Sequence, residues 1–135
     1  MQSSRKVQKM TLGLLCAGLL TMLPLAAHAD LAQEISTAAD HAKLSTQAPT
    51  LKVAQLHLHH TLNCLVGSKG HGYDAKAGDP CSGMGKGAIL DEASAKPKRM
   101  LEHIAARVHS ALRNHHFATV KKLAGEIEVE LAKVK

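Results

Sequence analysis

The stretch QLHLHHTLNCLVG, Gln55 to Gly67, decides the fold of this chain. At 100° per residue, Leu51, Ala54, Leu58, Leu62 and Leu65 line one side of a helix, while His57, His60 and Cys64 line another at i, i+3 and i+7. His59 points to a third side, near Gln55 and Val66. A helix that is apolar nearly all round, with its polar exceptions clustered, belongs inside a bundle. Gly67 supplies its stop.

Three further helices follow from periodicity. Before the stretch, Leu31, Ile35, Ala38, Ala39 and Ala42 share a face, and Gln47-Ala48-Pro49-Thr50 breaks it because the residue before proline avoids the helical region. After it, Pro97 suits a first helical turn, where its missing N–H costs little, and Leu101, Ile104, Val108, Ala111 and Leu112 form a stripe. Asn114-His115-His116 makes the next break, followed by Val120, Leu123, Ala124, Ile127, Leu131 and Val134. Strand signals are nearly absent. Short turns force antiparallel neighbours, so the expected fold is all-α, an up-and-down four-helix bundle of two αα-hairpins. Between the hairpins, residues 67–90 form an expected glycine-rich loop, with seven of the ten glycines from Gly67 to Gly87.

The first thirty residues have a different logic. Arg5, Lys6 and Lys9 precede an apolar run from Met10 to Ala26, and Ala27-His28-Ala29 offers the small-x-small pattern of a signal-peptidase site before Asp30. The run is short for a membrane span, which takes about 20 apolar residues. Residues 1–29 are expected to be a cleaved signal peptide and residues 30–135 a single helical domain, periplasmic or secreted by Gram-negative-type export, with no membrane anchor after cleavage.

Cys16 leaves with the leader, so Cys64 and Cys81 remain as a pair in an oxidising compartment. Their disulfide would pin the long loop and stabilise the fold by about 3 kcal/mol in the chain-entropy model. The formal net charge is +6 and the leader carries half of that excess. Lysines and arginines are dispersed, and Tyr73 and Phe117 are the aromatic residues, so no stacking platform or basic stripe for nucleic acid exists.

With HHTLNCLVG, Gly70-x-Gly72-Tyr73-Asp74 and Asp79-Pro80-Cys81 in view, the chain resembles a group of uncharacterised small exported bacterial helical proteins, marked by HHxxNCLVG and a later (N/D)PC. The resemblance spans most of residues 30–135 and implies export and a helical fold, with no activity attached. In length and bundle pattern the chain also resembles periplasmic cytochrome b562. The axial methionine and histidine pair of that type has no counterpart in the first and last helices, and no CxxCH haem motif occurs.

His-x-x-His on one helix face can hold a transition metal, because ring nitrogens one turn apart converge. His57 and His60 are the expected ligands, completed by His41, with His103, His109, His71 and Met84 as other candidates. Copper or zinc suits imidazole donors. The competing reading gives these histidines backbone carbonyls as partners and makes the chain a structural or interaction module, with a protein partner at the glycine-rich loop and no ion. His103 and His109 lie off their helix's apolar stripe and are expected at the surface, as is His115-His116 in its turn. Asp74 and Asp79 lack an EF-hand pattern and suit turns. Cys64 and His60 are one turn apart, but a disulfide is the expected state of that cysteine. No catalytic constellation stands out, and no enzyme activity is expected. Intact mass of the protein from the cell envelope should match residues 30–135; a retained leader would overturn the export reading.

Overall fold

The computed structural model describes residues 30–134, and the leader expected over 1–29 lies outside them. The described chain is all-helical: α1 (Leu31–Gln47), α2 (Leu51–Val66), α3 (Ala88–Asp91), α4 (Ala95–Leu112) and α5 (Phe117–Leu131). No helix among the described residues is long and apolar enough to cross a membrane.

Local chemistry sets several helix ends. Asp30 caps α1, its carboxylate accepting the Gln33 N–H at 3.0 Å. Thr50 caps α2, accepting the Val53 N–H at 3.3 Å. Ser94 precedes α4, which places Pro97 in its first turn as expected. The four-residue α3 was not legible, since one helical turn carries no periodicity to read.

α1 packs against α2 and α5, and α4 packs against the same two, so the four long helices close a ring. The core is aliphatic: Leu58, Leu62, Leu65, Leu101, Val108, Val120, Ile127 and Leu131 are fully buried. α1 departs from its expected stripe. Its buried residues are Glu34, Ala38, Ala42 and Ser45, while Leu31, Ile35 and Ala39 are only partly covered. The reason is close approach to α2, which selects small residues and lets hydroxyls cross the seam. Ser45 Oγ donates to the Ala54 carbonyl at 2.9 Å, and Thr61 Oγ1 donates to the Ala38 carbonyl at 3.1 Å. On the far side Arg107 of α4 pairs with Glu126 and Glu130 of α5.

The glycine-rich segment is held by one face of α2. Cys64 and Cys81 form a disulfide. Asn63, almost fully buried, accepts the Asp74 N–H at 2.9 Å and donates to the carbonyls of Asp74 at 2.9 Å and Gly78 at 2.7 Å. His60 reaches the Ala77 carbonyl. One turn on, Gly67 (φ 68°) touches the returning chain so closely that a Cβ there would lie 1.7 Å from the Lys86 carbonyl oxygen. Residues 60, 63, 64 and 67 thus clamp the loop at i, i+3, i+4 and i+7. Asp74 and Asp79 accept the N–H groups of Lys76 and Cys81 two residues on, at 2.9 and 3.0 Å, as turn-forming aspartates do.

Asn63→Ala leaves Asp74 and Gly78 without these partners and should cost about 1–3 kcal/mol, the scale of a lost buried hydrogen bond. Removing the disulfide by Cys64→Ser with Cys81→Ser should cost about 2–4 kcal/mol. Denaturant titration checks both. An Asn63→Ala protein within about 0.5 kcal/mol of the parent, the range of an ordinary surface change, would refute the clamp.

Candidate metal centre

The α1–α2 seam brings His41 against His57 and His60. Small residues flank the contact, Ala38 and Ala42 on one side and Ala54 and Thr61 on the other, so the imidazoles span the narrow gap directly. His41 Nδ1 lies 3.2 Å from His57 Nδ1 and 3.3 Å from His60 Nδ1. Two nitrogens bound tetrahedrally to one ion at about 2.0–2.1 Å stand about 3.3 Å apart. The ring centroids are 5.4 Å (His41–His57), 4.6 Å (His41–His60) and 5.9 Å (His57–His60) apart. All three side chains are partly buried, and each offers a ligating nitrogen within 4.8 Å of the others.

Proton accounting sharpens this geometry. His60 Nε2 lies 2.6 Å from the Ala77 carbonyl oxygen, which only accepts, so Nε2 carries the hydrogen and a neutral His60 has a bare Nδ1. His41 Nδ1 can then donate to His60, or accept from His57, but not both. One of the two close N···N contacts therefore lacks an aligned hydrogen. A cation among the three nitrogens resolves the conflict, since each then presents a lone pair. The Ala77 carbonyl also fixes the orientation and tautomer of His60, the role that outer partners play for metal-bound imidazoles.

The electrostatics run the same way. Burial, then the neighbouring His60 and His57, push His41 down to about 4, with Asp40 opposing in part. Burial and His60 push His57 down as well. Both are neutral at pH 7, the form a metal requires. With imidazole donors and no thiolate, the set suits copper or zinc.

The other candidates lie elsewhere. His59 Nδ1 stands 3.8 Å from Asp74 Oδ2 and faces the loop. Met84 Sδ is 3.9 Å from the Thr37 hydroxyl, which donates to it. His103, His115 and His116 are exposed. His109, expected at the surface, is half-buried: the loop lies over α4, His71 comes within 5.3 Å of it centroid to centroid, and a Cβ on Gly72 would sit 2.1 Å from the His109 ring. Burial and then His71 lower its pKa. The disulfide removes the Cys64 thiolate from any pairing with His60. Sequence reasoning missed Asn63 and the Ala77 carbonyl. The first was visible only as a polar residue within an apolar run, and the second is backbone.

The lowered His41 pKa sets the sign of an acid response. Below about 6.5, the ordinary histidine value, the unfolded chain takes up a proton that folded His41 refuses until pH approaches about 4. Stability without metal is therefore full above that range and lost as pH falls through it. Melting curves from pH 7.5 to 4 with chelator present should show this, and His41→Gln should flatten the slope. The difference between variants separates His41 from Glu34, whose raised pKa acts with the opposite sign. Equal slopes would refute the assignment. No protein-family model, curated protein or solved structure matches the chain, so the chemistry of the centre is argued from its own atoms.

Proposed function

We propose that this protein is an exported binding module that takes up a transition-metal ion, copper or zinc, through His41, His57 and His60. In this reading residues 1–29 direct export and are removed, and residues 30–135 act as one domain in the periplasm or outside the cell. Its four long helices run up and down as two hairpins. The observation that carries the metal reading is the pair of 3.2 and 3.3 Å Nδ1 contacts, which no set of neutral tautomers satisfies together. His60 then acts twice, as a ligand through Nδ1 and as a donor to the loop through Nε2.

A second reading, an ion-free structural or interaction module, is favoured by one observation. The 2.6 Å contact from His60 to Ala77 anchors the loop whether or not an ion is present. In that case the ordered glycine-rich loop is the surface offered to a protein partner.

Calorimetric titration of the chelator-stripped protein with copper and zinc separates the two. One-to-one binding is expected, and His41→Ala, His57→Ala and His60→Ala should each weaken it at least about tenfold, or 1.4 kcal/mol. His116→Ala serves as the surface control and should leave it unchanged. Affinity should fall as pH drops toward about 4, where His41 takes up its proton. Absence of saturable binding tighter than about ten micromolar would establish the ion-free reading, and equal loss in the control would overturn the assignment of the ion to these three histidines.

A further inference from the structure

Among the described residues, His41, His57 and His60 are the group whose ligating atoms lie within 4.8 Å of one another, and no carboxylate or thiolate joins them. The candidates for a fourth protein ligand are placed elsewhere. Asp40 precedes His41, but adjacent residues stand about 100° apart around a helix, and Asp40 is exposed. Cys64, one turn beyond His60, is held in the disulfide. The Ala77 carbonyl meets His60 at Nε2, at 2.6 Å, whereas the contacts among the histidines run through Nδ1. That carbonyl therefore engages the other nitrogen of the ring and does not enter the cluster.

The trio also lies at the outer edge of the seam. The flanking Ala38, Ala42, Ala54 and Thr61 are fully buried, while all three histidines are partly exposed. Packing closes the side of the cluster toward the bundle, and water reaches the other side. Zinc sites with four protein ligands are closed, whereas three protein ligands leave a position for an exchangeable group. Charge selects what enters that position. Bound imidazoles are neutral, so the ion keeps both of its positive charges, with no ligating carboxylate or thiolate among the described residues to offset them.

We propose, building on the metal reading above, that a divalent ion held by His41, His57 and His60 keeps one outward coordination position and takes a small monodentate anion there in exchange for solvent. The anion enters as the solvent molecule leaves, and all three imidazoles stay in place. The chain is then an anion receptor that works only when loaded with metal, and the centre is not a closed structural clasp. By linkage, the anion in turn strengthens retention of the ion.

The test is titration of the oxidised, metal-loaded protein with azide. Cobalt(II) stands in for zinc, with visible bands that report its coordination, and the zinc-loaded protein is titrated in parallel by calorimetry. One ion per chain is expected, with azide binding saturably at one per ion and half-saturation below about 10 mM. His57→Ala should weaken cobalt uptake at least about tenfold and remove the azide response with it, whereas Asp40→Asn should keep both. A bound ion that ignores azide in either metal form would overturn the open position and leave the metal reading standing. A response that appears only after Asp40→Asn would do the same, by making Asp40 the fourth ligand. A full response persisting in His57→Ala would place the responding ion away from the trio and overturn the assignment. Failure of copper, zinc and cobalt alike to load the protein would overturn the metal reading and the anion position together.

Discussion

The amide of Asn63 is the contact on which the rest of the molecule depends. A glycine-rich segment with little apolar side chain cannot hold itself in place by burial, and its backbone groups need partners once it lies against a helix. Asn63 supplies three of them, closing on Asp74 and Gly78 from inside the bundle. The disulfide one residue later makes the attachment covalent, and the close crossing of Gly67 with Lys86 returns the chain to α3. With the loop fixed, the Ala77 carbonyl stands where His60 can reach it. The candidate metal centre therefore depends on the same face of α2 that holds the loop.

That face also gives the motif HHTLNCLVG a physical meaning. The second histidine, the asparagine, the cysteine and the glycine are four residues that hold the loop, while Leu62 and Leu65 enter the core. The spacing is that of one helical surface. The residues combine a ring donor, an amide with both donor and acceptor, a covalent link and a position without a side chain. Each solves a different part of the problem of ordering a chain segment that lacks hydrophobic anchors.

The helical class and the extents of the four long helices were legible because they follow from periodicity and from Pro49, Gly67 and Pro97. The cysteine pairing was legible from parity. The gathering of His41 with His57 and His60 was legible only as one option among several histidines, since register between two helices depends on packing rather than on local spacing. Illegible altogether were α3, the buried carboxylate of Glu34 and the burial of His109. Each depends on where the loop comes to rest, and glycines carry no pattern that encodes that. The expected stripe on α1 was rotated for a related reason: hydrophobicity ranks Ile35 above Ser45, but helix separation favours the smaller residue.

The small-residue seam between α1 and α2 has a consequence for how this chain can diverge. Ala38, Ala42, Ser45 and Ala54 carry no ligand chemistry, yet they set the separation across which the imidazoles meet. A bulkier aliphatic residue at any of them preserves hydrophobicity while prying the helices apart, because packed interiors do not absorb added methylenes freely. The histidines would then persist in the sequence with their nitrogens too far apart to act together. Among relatives of this chain, the alanines are thus the better marker of a shared centre, and histidine content alone is the poorer one.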